Sequence, residues 1–290
     1  MINNNDGYQE KYYYSHDGLK LYYRDYNAKQ SHKTPLLCLH GLTRNSKDFH
    51  RLAVHFSKDR RVVSLDIRGR GKSEYDPNYV NYQIPTYVQD VLGFLAHENI
   101  PQVTAVGTSM GGLIAMAIGA INPNIFNGII LNDIGPEIDQ KGIERISKLV
   151  SNTRILKDWA QTISGVSILN TALFPDYSNQ EWERFVRNSF REQDDGTIVA
   201  DYDQAIGRAM TESSNNGVPV DLWPMYRALH NIPILTLRGE NSDILSSETL
   251  RKMAESHPKF TALTVPNRAH VPDLNEEISL QAISTFINSL

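Results

Sequence analysis

The sequence predicts an α/β fold in which a mainly parallel β-sheet is flanked by helices and interrupted late in the chain by an inserted helical cap. Three observations predict it. Short apolar runs alternate with amphipathic helical patterns over most of the 290 residues, the rhythm of parallel strands covered on both faces. That rhythm stops between Glu137 and Ile232 and resumes after it. A Gly-x-Ser-x-Gly stands where one strand pattern turns into a helix pattern, the context a nucleophile elbow requires.

Taken in order, Tyr8–Tyr14 and Leu19–Tyr26 flank His16-Asp17-Gly18, and the Asp-Gly pair predicts a hairpin. Pro35–Leu39 is a short apolar run that ends at His40-Gly41. Arg61–Leu65, Val103–Gly107, Gly128–Leu131, Pro233–Leu237 and Thr261–Val265 read as further buried strands. Thr86–His97, Gly111–Ile121, Thr249–Ser256 and Glu276–Ile287 carry the helical period. The interruption holds helical patterns at Ile143–Val150 and Asn179–Phe190 and contains all three tryptophans, Trp159, Trp182 and Trp223. With 10 Lys/Arg against 14 Asp/Glu, it carries the same charge of −4 as the whole chain. Residues 1–136 and 233–290 are therefore expected to form the core, and 137–232 a helical cap.

Composition narrows the function classes. Hydrophobic residues make up 40% and charged residues 21%, an ordinary globular balance. A net charge of −4 recommends neither nucleic acid nor an anionic membrane as partner. The single cysteine, Cys38, excludes an internal disulfide and fits a reducing, cytoplasmic setting. Met1 to Asp6 are polar and lack a signal-peptide core. Gln102 to Asn132 contains no charge, but Gly107, Ser109, Gly111 and Gly112 interrupt its apolar run. It reads as a buried strand turning into a buried helix, and no membrane span is expected. No His-Glu-x-x-His or Cys/His cluster has ligand spacing, so neither a catalytic metal nor a cofactor is expected.

The chemistry concentrates on Gly107-Thr108-Ser109-Met110-Gly111. A turn this tight needs glycine on either side of the serine, and it pushes the hydroxyl out at the sheet's carboxyl edge. A serine hydroxyl needs a base, and the base needs a third group to orient it. Among nine histidines, His270 stands on a loop just after the last strand, at the edge where Ser109 should emerge. His16, His32, His55, His97 and His257 are expected to be surface or structural residues. In sites built on such an elbow the acid follows the serine and precedes the histidine. Asp243, after the strand Pro233–Leu237, occupies the usual place in that order, and Asp133, directly after Gly128–Leu131, is the alternative. The oxyanion that develops on the substrate needs N–H donors. The amides of Met110 and of Leu42, in the loop after Pro35–Leu39, are the candidates, with His40 shaping that loop.

Leu39-His40-Gly41-Leu42, Asp66-Ile67-Arg68-Gly69-Arg70-Gly71-Lys72-Ser73, Gly107–Gly111, the Asp243 loop and His270-Val271-Pro272 together resemble the α/β-hydrolase superfamily over nearly the whole chain. Leu131-Asn132-Asp133-Ile134-Gly135-Pro136 and Leu237-Arg238-Gly239-Glu240 are similar to a cap-bearing bacterial serine hydrolase branch. The resemblance implies a cap inserted after the sixth strand. Two positions depart from the common pattern: Ala269 precedes the histidine where glycine is usual, and the Gly239–Asp243 spacing is one residue longer. A serine at the elbow argues against haloalkane dehalogenase and epoxide hydrolase chemistry, and Asp66–Ser73 reads as a structural turn.

The expected activity is hydrolysis of a small ester, lactone or thioester through an acyl-enzyme, by a monomer or homodimer. Hydrolysis of a carbon–carbon bond in a diketone-like acid, acyl transfer to a second alcohol or peroxide, and a small-ligand receptor are the competing readings, because lid residues choose the substrate and the triad does not. Trp223, in Leu222-Trp223-Pro224 at the return to the sheet, is the expected substrate contact.

Overall fold

The computed structural model describes residues 7–27, 31–151, 155–216 and 220–290. The polar leading segment Met1–Asp6 lies outside them. A hairpin opens the chain: β1 (Gln9–Tyr14) and β2 (Lys20–Tyr26) pair antiparallel across Asp17-Gly18, where Gly18 adopts φ 89°. Then follow β3 (Leu36–Leu39), α1 (His50–Phe56), β4 (Val62–Leu65), α2 (Ile84–His97), β5 (Val103–Thr108), α3 (Met110–Ile121) and β6 (Phe126–Asn132). After the insertion come β9 (Ile234–Gly239), α9 (Ser247–Ser256), β10 (Phe260–Val265) and α10 (Glu277–Asn288). The eight strands order β1-β2-β4-β3-β5-β6-β9-β10, parallel from β4 onward.

Side-chain alternation divides the core between the two faces of the sheet. Leu37, Leu39, Val63, Leu65, Ala105, Ile129 and Leu131 pack with α2 and α3. Leu36, Cys38, Val62, Val106, Ile130 and Leu235 pack with α1 and α10. The uncharged stretch Gln102–Asn132 holds β5, α3 and β6, buried between these layers apart from Gln102 and the exposed turn Ile121–Asn124. Among the described residues no helix is long and apolar enough to cross a membrane. One strand departs from expectation: β10, read from its apolar residues as buried, is largely exposed. It is the end strand, with β9 as its one neighbour.

Between β6 and β9 lie α4 (Gln140–Ser151), α5 (Trp159–Asn170), α6 (Asn179–Ser189), α7 (Ala205–Asn216) and α8 (Trp223–Arg227). A small antiparallel pair, β7 (Phe190–Glu192) and β8 (Ile198–Ala200), joins them. Local chemistry starts several of these elements. Asp158 caps α5, and Ser178 with Glu181 forms a capping box on α6. The end of the inserted stretch differs from a detached cap. Tyr226, Leu229 and Ile232 are buried in the core under α3, and a Cβ on Gly119 would meet Leu229 at 2.7 Å.

The insertion rests on loops that leave the carboxyl ends of the parallel strands. Gly71 N–H donates to the Asp201 carbonyl (3.0 Å) and Asp203 N–H to that of Gly69 (2.7 Å). Asn45 Nδ2 donates to the Asn188 carbonyl (2.8 Å), and Lys47 pairs with Asp201 (2.8 Å). Ala269 N–H reaches the Leu173 carbonyl (3.2 Å). Asp66–Ser73 is the structural turn expected. The buried Asp66 carboxylate accepts N–H bonds from Ser46 (2.6 Å) and Lys72 (2.9 Å), and Arg68 is enclosed by Asp17, Asp76 and Asp90.

Candidate active site

The β5–α3 turn gives Ser109 φ 50° and ψ −112°, a conformation that L side chains adopt only where the surroundings enforce it. The flanking glycines make that possible. A Cβ on Gly107 would meet the Gly111 carbonyl oxygen at 2.6 Å, and one on Gly111 would meet that of Leu39 at 2.0 Å. The Ser109 carbonyl accepts from Gly112 N–H (2.9 Å) and Leu113 N–H (3.1 Å), while Ser109 N–H donates to Asn132 (3.0 Å). Its hydroxyl is left projecting at the carboxyl edge of the sheet.

His270 meets it there. Nε2 of the imidazole lies 3.0 Å from Ser109 Oγ, and Nδ1 lies 2.8 Å from Asp133 Oδ2. Asp133 is fully buried and has φ 57°, while its N–H donates to the Leu237 carbonyl (2.7 Å). Two donors from the end of β9 complete its shell: Gly239 N–H to Oδ1 (2.9 Å) and Ser242 Oγ–H to Oδ2 (2.6 Å). Ser242 is free to donate because its oxygen already accepts from Ile244 N–H (3.2 Å) and Leu245 N–H (3.0 Å). With Nδ1 donating to the carboxylate, Nε2 presents a lone pair to the serine hydroxyl. An imidazole so held can take the hydroxyl proton and later return it.

The loop after β3 is set by His40. Its Nδ1 donates to the Gly41 carbonyl (2.7 Å), and its Nε2 accepts from Ile67 N–H (3.0 Å). Burial pushes its pKa down to about 3, so the ring is neutral and occupied at both nitrogens. It orients the Gly41–Leu42 peptide, whose N–H belongs to Leu42. Met110 is the first residue of α3, so its N–H has no acceptor within the helix.

Residues 34–272 match the family described as alpha/beta hydrolase fold. The chain belongs to the alpha/beta hydrolase fold family. Several of its relatives in that family are named hydrolases. A 3-hydroxybutyrate-oligomer hydrolase of Cupriavidus necator is 30% identical over 244 residues, covering 82% of each chain. A 2-(acetamidomethylene)succinate hydrolase of Mesorhizobium japonicum is 26% identical over 266 residues, covering 91% of each. The crystal structure of an alpha/beta hydrolase from Novosphingobium aromaticivorans superposes with a TM-score of 0.93 at 37% identity, over 98% of this chain and 99% of that one. These likenesses support a hydrolytic enzyme.

Within this alpha/beta hydrolase, the carboxylate that hydrogen-bonds His270 is not the expected Asp243 but Asp133, which sequence reasoning placed second. Asp243 does not hydrogen-bond the imidazole. It is held by Arg145 of α4, Nε to Oδ2 at 2.5 Å and Nη2 to Oδ1 at 2.8 Å, and that partner lowers its pKa. The physical reason is local. The positive φ at Asp133 turns its side chain onto His270, and the longer β9 loop places Ser242, not Asp243, against that site. Trp223 is occupied elsewhere: its indole N–H donates to Glu137 (2.8 Å) and its ring packs edge-on to Tyr226 at 5.8 Å. Trp182 is buried in the insertion among Phe174, Tyr177 and Phe185. Trp159 bonds Glu192 (2.8 Å) under the Arg187 guanidinium.

Ser242 and Asn132 went unnoticed in the sequence. Asn132 Nδ2 donates to Thr108 Oγ1 (3.1 Å) and to the Pro272 carbonyl (2.9 Å), tying the elbow strand to the histidine loop. A loop serine and a strand-end asparagine carry no spacing signal that would have found them. Among the described residues, the one carboxylate–histidine group compact enough for a cation is His16, Asp17 and Asp90. Its two aspartates are already bonded to Arg68.

Proposed function

We propose that the chain is a serine hydrolase acting on small carboxylic esters through an acyl-enzyme intermediate. The observation that carries this reading is the imidazole of His270 suspended between Ser109 Oγ (3.0 Å) and the buried Asp133 carboxylate (2.8 Å). In the forward step Ser109 Oγ bonds to the carbonyl carbon while His270 Nε2 takes its proton. The carbonyl oxygen becomes an oxyanion beside the amides of Leu42 and Met110. Collapse expels the alcohol, which leaves with the proton from His270. Water then attacks the acyl-serine with His270 again as base, releasing the acid and restoring the serine. Asp133 holds the imidazole in the required tautomer and stabilises its protonated form.

Ester chemistry is favoured over the alternatives by a relative named 3-hydroxybutyrate-oligomer hydrolase. The insertion over the carboxyl edge is assigned the substrate's acyl part, with Leu42, Leu113, Ile138 and Ile146 as apolar residues against the core. A fluorophosphonate probe tests the nucleophile. It is expected to label the wild type once, at Ser109, and to leave Ser109→Ala unlabelled and at least 10³-fold slower on p-nitrophenyl acetate. Wild-type turnover by the alanine variant would refute the reading. A panel of esters, lactones, thioesters and a diketone acid then ranks the substrate classes.

A further inference from the structure

Two arginines, Arg68 and Arg70, are the largest fully buried side chains of the protein, and they are treated very differently. Arg68 is surrounded by three carboxylates. Arg70 pairs with none among the described residues. Its Nε donates to the Leu42 carbonyl (2.9 Å), and its Nη1 donates to the Arg68 carbonyl (2.8 Å) and to Tyr87 Oη (2.9 Å). Its Nη2 lies 3.6 Å from Met110 Sδ. The faces of Tyr87 and Tyr82 complete the surround, with ring centroids 4.9 and 5.6 Å from the guanidinium carbon.

A buried guanidinium without a counter-charge is costly unless something is gained from it. Beyond its own turn and the tyrosines Tyr87 and Tyr82, it reaches the Leu42 carbonyl and the Met110 thioether, in the two residues whose amides are assigned to the oxyanion. Met110 follows the nucleophile and Leu42 lies in the loop after β3, so no covalent or helical link holds one to the other. Arg70 is the group that touches both. In the resting state no carboxylate of the described residues pairs with it. When the carbonyl oxygen becomes an oxyanion, a full negative charge arises beside those two amides, and a fixed buried cation behind them favours it.

We propose that Arg70 is a positioning residue for acyl transfer, joining the two oxyanion donors into one rigid unit and supplying an uncompensated positive charge behind them. The proposal rests on the serine-hydrolase reading of the same site. It assigns the guanidinium no contact with substrate. Its effect is therefore felt where charge develops on the carbonyl oxygen and is nearly absent from ground-state binding.

The test uses the full-length protein whose Ser109 has been shown to label with fluorophosphonate, so failure of the serine reading is detected first and separately. Arg70→Gln removes the charge and Arg70→Lys keeps it without the planar fork. On p-nitrophenyl acetate, kcat is expected to fall about 10- to 100-fold in Arg70→Gln, somewhat below the loss of an oxyanion donor itself. Arg70→Lys should fall between Gln and wild type, and KM should move less than about 3-fold. Inhibition by phenylboronic acid, which forms a tetrahedral anionic adduct on serine, should weaken by the same factor as kcat/KM. A merely structural role would lower thermal stability and raise KM without that parallel. Should both variants fail to fold, Tyr87→Phe removes one of the two hydrogen bonds of Nη1 and leaves the one to the Arg68 carbonyl, and it is expected to lower kcat and boronate affinity together by several-fold. Unchanged kcat and unchanged boronate affinity in a folded variant would overturn the proposal, as would a loss that appears in KM alone.

Discussion

Replacing Asp133 by asparagine asks a sharply posed question of the site. The wild-type carboxylate accepts three bonds, from His270 Nδ1 (2.8 Å), Gly239 N–H (2.9 Å) and Ser242 Oγ (2.6 Å). Asparagine offers one oxygen and one NH2. The Gly239 amide can only donate, so turning the NH2 toward it would leave two buried donors face to face, at a cost of about 1–3 kcal/mol. The amide oxygen therefore stays on Gly239, and the NH2 faces His270. Nδ1 must then accept, the ring proton moves to Nε2, and Ser109 meets an N–H where it needs a lone pair. In a serine protease the same exchange lowers kcat about 10⁴-fold, equivalent to roughly 5.5 kcal/mol of barrier. That magnitude is expected here for Asp133→Asn on p-nitrophenyl acetate, with far-ultraviolet circular dichroism and melting temperature reporting that the fold persists. Asp243→Asn breaks an ion pair whose two side chains are 36% and 35% exposed, an interaction worth about 0–1 kcal/mol at most, and kcat should stay within about tenfold. If instead Asp243→Asn loses 10³-fold or more and Asp133→Asn stays near wild type, the acid lies on the β9 loop and the reasoning fails.

Four further outcomes can be measured. Gly111→Ala places a Cβ 2.0 Å from the Leu39 carbonyl oxygen, a backbone atom that cannot yield, so the variant should be insoluble or melt far below wild type. Gly165→Ala, mid-helix in α5 with open space around it, should raise stability by about 0.5–1 kcal/mol. His40 is neutral in the fold because burial lowers its pKa from 6.5 to about 3, so protons bind preferentially to the unfolded chain below that upper value. Its contribution is fully present above pH 6.5 and is lost as pH falls toward 3, by up to about 1.4 kcal/mol per pH unit. Urea titrations of His40→Gln between those limits should show a shallower decline than wild type, and an equal slope would count against a neutral His40. Trp182→Ala, at the centre of the aromatic cluster in the insertion, should cost about 3–5 kcal/mol in urea unfolding. It should also slow turnover, because Leu173 beside that cluster holds the Ala269 N–H on the histidine loop. Trp159→Ala should cost far less, and equal losses would contradict the packing described.

What was legible in the sequence was whatever neighbouring residues encode together. Strand alternation, the Asp-Gly hairpin and the helical period placed the sheet and the helices α2, α3, α9 and α10 within a few residues, because these are properties of short segments, whereas the seven-residue α1 was not read. The Gly107–Gly111 spacing announced Ser109 for the same reason. Gly107 is required by backbone within the β5–α3 turn itself, and Gly111 by the Leu39 carbonyl of the neighbouring strand β3. His270 was recognised by its place on the loop after the last strand.

Tertiary structure alone decided between the two carboxylates. Asp133 and Asp243 both follow parallel strands and both precede His270, so spacing treats them alike. The choice rests on a left-handed φ of 57° at Asp133, on Ser242 and Gly239 donating to it across the sheet, and on Arg145, 98 residues distant in sequence, taking Asp243. Likewise the neutrality of His40 and the isolation of Arg70 depend on burial by residues scattered along the chain. The sequence by itself determined the sheet, the insertion and the elbow that carries Ser109, because local backbone geometry and side-chain periodicity act over a few residues. Which acid orients the base, and which cation stands behind the elbow, depend on distances between segments that meet only when the sheet assembles and the insertion seats upon it.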